Sequence, residues 1–192
     1  MKRQISAKQL VESGVLLALG FVLSVFKIKL VAVGGSVTLA SMLPIVILAY
    51  KYGPGWGTLC GFVHAMLQII EDGGIAPPVR DAQSFLLVFL LDFALAWAVV
   101  GLLAGLLRGV SEKPQRAIAV GALAGVGGRF LCSFLSGMII WGVYAPQGQS
   151  VALYSLAVNA SYMVPEMLVT SVLGYLLFSV PVLQKQVALE AR

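Results

Sequence analysis

The chain has 192 residues, 59% hydrophobic and only 11% charged, with a mean hydropathy of +0.96 and a formal net charge of +5. A soluble domain must wet its outer face and cannot hide that much apolar side chain, so the composition excludes one and indicates a polytopic membrane protein. The basic residues lie scattered between apolar runs, as topology markers do, and form no polar surface for nucleic acid.

The first apolar run, Gln9–Phe26, follows a basic start in the manner of a signal peptide. It leads into Lys27 and Lys29 without a small-x-small cleavage site and therefore reads as a retained first span. Five further runs follow: Val37–Tyr50, Pro54–Ile70, Ala82–Leu107, Arg116–Val143 and Val151–Phe178. A span needs about 20 residues, which makes the second run short and the last three long enough to tilt or kink. Pro44 and Pro165 are expected to kink or break their helices. No linker or low-complexity tract separates domains. The expectation is an all-α bundle of six transmembrane helices forming one domain over residues 1–192.

With a cytoplasmic N-terminus, Lys2, Arg3, Lys8, Lys51, Arg108, Lys113, Arg116, Lys185 and Arg192 fall inside, while only Lys27, Lys29 and Arg80 fall outside. That bias places both termini in the cytoplasm of a multi-pass protein of the cell membrane. The outer loops are then Lys27–Ser36, Asp72–Asp81 and Tyr144–Ser150, and the Gly-Gly and Gly-Gly…Pro-Pro turns of the first two are suited to cover a site. Small residues recur four apart at Gly14/Ala18, Gly101/Gly105 and Gly121/Gly125. Such pairs share a helix face and let a second helix approach closely. For each, packing within the chain is one reading; for Gly14 and Ala18 the other is docking of a partner protein. Cys60 and Cys132 both lie inside apolar runs and read as buried thiols.

Three ionisable residues fall near mid-span: Asp92, Arg129 and Glu166. Charges at membrane depth are costly and mark functional sites by default. Asp92 and Arg129 lie about 15 and 21 Å from the outer ends of their spans at 1.5 Å per residue, so they can pair directly or share a ligand. Arg129, Ser133, Ser136 and Gly137 share one helix face; Phe85, Phe89 and Asp92 another; Asn159, Tyr162 and Glu166 a third; His64, Gln68 and Glu71 a fourth. Two carboxylates against one guanidinium leave a net negative site suited to a monocation, on which Trp141 or the tyrosine rings can stack. The single histidine, His64, has no ligand cluster around it, so no metal is implied. There is no phosphate-binding loop and no zinc-protease or nucleophile-elbow motif, so the chain is neither its own ATPase nor a recognisable hydrolase.

The runs Gly128-Arg129-Phe130, Ser136-Gly137, Trp141, Tyr144-Ala145-Pro146 and Tyr154-Ser155-Leu156-Ala157-Val158-Asn159 carry a family resemblance, as do Leu91-Asp92-Phe93 and Gly34-Gly35-Ser36-Val37-Thr38-Leu39. Together they resemble the ThiT type of substrate-binding subunit, the S-component, of energy-coupling factor (ECF) transporters. The resemblance implies thiamine as ligand, no cofactor, and a separate transmembrane coupling protein with two cytoplasmic ATPases as partners. By resemblance, Asp92 occupies the family's acidic position and Arg129 its basic one. Trp141 would stack on a ring, Tyr154 and Asn159 would bond the pyrimidine, and Gly14 and Ala18 would dock the coupling protein. Ser133 stands where the family often has His, Phe93 replaces a Tyr, and the first outer loop lacks a Trp. A subunit for another vitamin or a thiamine precursor is one alternative, with His64 a candidate to supply missing chemistry. A small intramembrane enzyme built on Asp92 and Glu166 is an alternative of another class.

Overall fold

A computed structural model describes residues 5–29 and 35–188; Lys2, Arg3, Gly34 and Arg192 lie outside them. Helix α1 (Ala7–Val25) begins where the Ser6 hydroxyl accepts the Gln9 N–H at 3.1 Å, satisfying one of the free donors of the first turn. The chain then forms a short antiparallel hairpin, β1 (Lys27–Ile28) and β2 (Val37–Thr38), with Lys27 opposite Thr38. Helices α2 (Leu43–Tyr52) and α3 (Pro54–Glu71) are divided at Gly53, whose φ of 93° lies in the left-handed region that glycine adopts without penalty.

The next rod runs from Ala82 to Gly109: α4 (Ala82–Val88), a π-helical turn over Phe89–Ala94, α5 (Leu95–Leu106) and a closing 3₁₀ turn. Helix α6 (Pro114–Ile139) leads through a 3₁₀ turn at Trp141–Tyr144 into α7 (Val151–Leu177), and α8 (Pro181–Ala188) follows. Pro165 lies inside α7, which continues past it. Pro44 sits in the first turn of α2, where its missing N–H has no helical partner to lose.

Four helical rods among the described residues are long and apolar enough to cross a membrane: Ala7–Val25, Ala82–Gly109, Pro114–Ile139 and Val151–Leu177. The expected count of six spans is not reached on those criteria. The run Val37–Tyr50 gives its first residues to the hairpin, and the helix it feeds has only 10 residues, about 15 Å at 1.5 Å per residue. Helix α3 has 18 residues, diluted by glycines, His64 and Gln68. The hairpin also qualifies the expectation of an all-α chain.

The short α2 is the most enclosed element: Ile45, Val46, Leu48 and Ala49 have no exposed surface. Around it the helices meet at glycine. A Cβ on Gly105 would stand 2.6 Å from the Pro54 nitrogen, and one on Gly125 would stand 2.7 Å from the Val100 carbonyl oxygen. The pairs Gly101/Gly105 and Gly121/Gly125 therefore pack within the chain. The pair on α1 differs. Gly14 and Ala18 are both exposed, one turn apart, and nothing lies within 4 Å of where a Cβ on Gly14 would be. The buried residues of α1 are instead Ser13, Leu17, Gly20 and Ser24, so Ala18 faces outward while its neighbour Leu17 faces the bundle. Both cysteines are free thiols, Cys60 buried and Cys132 half-buried.

Candidate functional site

The site grows from the π-helical turn. An ordinary helix brings residues three or four apart to one face, whereas a π turn adds a residue per turn. Val88, Asp92 and Trp97, spaced four and then five apart, consequently line one cavity together with Phe93. Helix α6 contributes Arg129, Ser133 and Gly137 at regular four-residue spacing, and α7 contributes Tyr154, Ser155, Val158, Asn159 and Tyr162. Trp141 adds a ring at the junction of the two. The cavity has a volume of about 440 Å³. One end is bounded by the hairpin through Lys27, Lys29, Gly35, Ser36 and Thr38, and by Gln68, Asp72 and Gly74 to Ala76 of the next loop.

Asp92 is half spent. Its Oδ2 accepts the Ser136 hydroxyl at 2.8 Å and the Trp141 indole N–H at 2.9 Å, whereas Oδ1 has no donor among the described residues. The Trp141 ring is thus fixed at its nitrogen and lies nearly parallel to Tyr144, with ring centroids 6.3 Å apart and 20° between planes. Arg129 does not pair with Asp92; no ion pair among the described residues involves it. Its guanidinium lies 3.9 Å from the centroid of Trp97, Nη1 reaches the Met42 sulfur at 3.5 Å, and the buried Nε has no partner. Stacking on an indole face stabilises a cation through the ring quadrupole, so the arginine charge is drawn to Trp97 and away from the carboxylate.

On α7, Asn159 donates from Nδ2 to the Ser155 carbonyl at 2.9 Å, with longer approaches to the Ser155 hydroxyl and the Ser133 carbonyl at 3.3 Å. Its Oδ1 accepts the Tyr162 hydroxyl at 2.5 Å and keeps a second lone pair. A Cβ on Gly137 would collide with the Ser155 side chain, so glycine there lets α6 and α7 close.

Three residues expected to bind ligand do not line the cavity: Glu166, His64 and Phe89. Glu166, 1% exposed, accepts the Thr38 N–H and hydroxyl at 2.5 and 2.7 Å. Of the two carboxylates expected to face the guanidinium, Asp92 alone lines the cavity, while Glu166 stays within electrostatic reach of Arg129 from outside it. His64 is fully buried and packs against Trp97 at 4.5 Å between centroids, so it touches the ring beneath Arg129. Phe89 misses because the π turn rotates the residues before Asp92 off the face an α-helix would give them. Gly14 and Ala18, expected at a docking face, are likewise no part of the cavity wall. Their four-residue spacing turns both outward on α1, so among the described residues Ala18 belongs to the exposed surface.

At the cavity mouth, Lys27 bonds Glu71 at 2.9 Å and Asp72 at 3.3 Å. Glu71 also accepts from Ser24 and from Gln68, the latter at 2.8 Å. The hydrogen bond to Glu71 holds the Lys27 ammonium above the usual lysine range; partial burial pulls the other way, and Asp72 adds to the rise.

Residues 10–185 match the family model Thia_YuaJ, described as thiamine transporter protein. The chain belongs to that family. It is 27% identical over 146 residues to the thiamine transporter ThiT of Bacillus subtilis, covering 76% of each chain. It is 28% identical over 145 residues to the ThiT of Lacticaseibacillus paracasei, covering 73% of this chain and 72% of that one. The solved structure of ThiT from Listeria monocytogenes shares the fold, with a TM-score of 0.71 at 19% identity over 90% of this chain and 94% of the other. The protein is accordingly a multi-pass membrane transport protein, not an enzyme.

Several cavity residues of this thiamine transporter family member are not evident from its sequence. Trp97 is the foremost. Its signal is an indole deep inside an apolar run, five positions beyond Asp92, a spacing that faces Asp92 only across a π turn. Lys27, Lys29 and Thr38 enter through the hairpin, whose pairing spans the loop between the first two apolar runs.

Proposed function

We propose that this protein is the substrate-binding subunit of a vitamin uptake system in the cell membrane and that its ligand is thiamine, taken from the extracellular side. A cavity of about 440 Å³ lies within the usual range for small organic ligands. The observation that carries the reading is Asp92. One of its oxygens is saturated by Ser136 and Trp141, and the other is left for a ligand, beside an indole held by that same carboxylate. Thiamine, with an aminopyrimidine and a cationic thiazolium, suits a carboxylate next to a fixed aromatic face. Asp92 supplies charge and a hydrogen-bond acceptor, Trp141 a stacking surface. Asn159 offers its remaining lone pair to the pyrimidine edge, Tyr154 its phenol, and Ser133 and Phe93 shape the wall. Arg129, held on Trp97, bounds the cavity without neutralising Asp92. His64 supports Trp97 from behind.

In this reading residues 1–192 form one domain, with α2 and α3 completing six membrane-crossing segments and both termini in the cytoplasm. Helix α2, too short alone, crosses together with the buried turn that precedes it. The sequence carries no phosphate loop, so ATP hydrolysis falls to two separate cytoplasmic ATPases working through a transmembrane coupling protein. The uncovered face of α1 that carries Gly14 and Ala18 is where that protein docks.

Titration of the purified protein with thiamine, followed by tryptophan fluorescence, tests the reading. Saturable quenching is expected, and Asp92→Asn is expected to weaken binding strongly. Absence of any saturable change, or an Asp92→Asn variant that is folded and binds as tightly as the parent, would overturn it.

A further inference from the structure

Asp92 and Arg129 line the same cavity with opposite charges, yet neither is spent on the other. Among the described residues Oδ1 of Asp92 has no donor, and the buried Nε of Arg129 has no partner. A guanidinium and a free carboxylate oxygen in a water-poor site attract each other strongly, and a bidentate pair is their usual end state. The two groups are within electrostatic reach of one another. Asp92 bonds Ser136, about two turns beyond Arg129 on α6. The α6 residues that line the cavity along that stretch, Ser133 and Gly137, carry too little bulk to stand between the charges. Something other than bulk keeps them apart.

Trp97 is that restraint. The guanidinium lies 3.9 Å from the centroid of its ring, and indole offers a cation the strongest face of the aromatic side chains. The ring is itself held in place. It is 2% exposed, His64 packs on it at 4.5 Å between centroids, and Gly61 of α3 lies directly against its backbone. A ring face differs from a carboxylate as a partner, because it stabilises the guanidinium without cancelling its charge or consuming an acceptor. Glu166 offers Arg129 no such vacancy: it is within electrostatic reach, but its oxygens accept from Thr38 and Thr170. The unspent acceptor is on Asp92. Core packing alone asks only for volume at this position, which an aliphatic side chain would supply.

We infer that Trp97 is a positioning residue that sets the charge selectivity of the site. By holding Arg129 on its ring it keeps the free oxygen of Asp92 open to a cationic ligand; without that ring the guanidinium moves onto Asp92 and takes the cation's place. The selectivity rests on thiamine being the ligand; the restraint on Arg129 does not.

The test uses the full-length protein with Trp97→Met or Trp97→Phe, each also combined with Arg129→Gln, and follows binding by calorimetry. Methionine fills space without a ring face, and phenylalanine keeps a weaker one. Affinity for thiamine should fall about thirtyfold in Trp97→Met and about fivefold in Trp97→Phe. Affinity for a neutral isostere, with thiophene in place of the thiazolium, should fall less than about threefold in both. With Arg129→Gln as the common background, the same two substitutions should cost thiamine less than about threefold. Losses of equal size with and without Arg129, or for the charged and the neutral ligand, make Trp97 a packing residue and overturn the inference. A crystal structure of ligand-free Trp97→Met should place the guanidinium within about 4 Å of the Asp92 carboxylate. A guanidinium that stays in place, or turns to Glu166, overturns the restraint. A parental protein that never binds thiamine defeats the ligand assignment, and that structure still decides the restraint. Should Trp97→Met fail to fold, Trp97→Phe with and without Arg129→Gln decides the inference.

Discussion

At the end of the bundle away from the hairpin, helices meet backbone to backbone. Gly57 and Gly61 of α3 lie directly against Gly101 and Trp97 of α5, Gly105 lies on Pro54, and Glu12 of α1 takes both Lys51 and the Tyr52 hydroxyl at 2.5 Å. At the hairpin end the rods are held by side-chain hydrogen bonds: Asp92 to Ser136 and Trp141, Ser155 to the Phe134 carbonyl, Glu166 to Thr38. The contrast separates stability from binding. Backbone contact leaves no room for a ligand. Hydrogen bonding across a gap leaves both room and an unspent acceptor, the second oxygen of Asp92.

The largest effect should come from violating the tight end. In Gly101→Leu the new side chain meets the Gly57 backbone, which cannot rotate aside, and overpacking of this kind is expected to cost about 3 kcal/mol or more. Loss of the folded, monodisperse protein in detergent is the readout. Gly14→Leu is its control, because the space around Gly14 is open. That variant should fold and bind thiamine normally yet fail to support ATP-driven uptake in reconstituted vesicles. Intact uptake would remove α1 from the docking surface.

At the open end, Asp92→Asn keeps the shape and removes the charge. Loss of charge-assisted bonds is expected to weaken thiamine by about 2–3 kcal/mol, or about 30- to 150-fold, in a fluorescence titration. Trp141→Phe is expected to do less, about 1.5 kcal/mol or tenfold. The ring still stacks, but Asp92 loses the indole N–H that orients it. If Trp141→Phe proved the more damaging of the two, the indole N–H that orients the carboxylate would matter more to recognition than the Asp92 charge.

The regularity of α6 explains what could be read in advance. Arg129, Ser133 and Gly137 obey a four-residue period, and all three reach the cavity as that period requires. On the preceding rod the period changes at Phe89–Ala94, a local choice that apolar residues do not announce, so Phe89 turns off the cavity face and Trp97 turns onto it. Depth alone likewise placed Glu166 beside Asp92 and Arg129. Its actual partner comes from a strand in the loop after α1, and no helical spacing encodes a contact between Thr38 and residue 166. The break after α2 was legible in part through Gly53-Pro54. That α2 begins only at Leu43 was not, because Val37 to Tyr50 is apolar whether it runs as strand, turn or helix.

The smallest expected effect lies at the other side of the hairpin, where Lys27 meets Glu71 and Asp72. Its ammonium is stabilised in the folded protein by the Glu71 hydrogen bond, which raises its pKa. A raised cation contributes its stability fully below the ordinary lysine pKa and loses it as pH climbs through the higher folded value. The contribution is therefore flat across neutral pH and fades only in strong alkali. The Lys27 side chain is 32% exposed and solvent screens its pairs in part, so their contribution is about 1 kcal/mol, and Lys27→Met should change the thermal midpoint little and thiamine dissociation by no more than about fivefold. Thr38→Val, at the buried side, should exceed it. The opposite ranking would mean that the hairpin hangs from α3 by its ion pairs, and that the buried carboxylate on α7 serves only to fill its place.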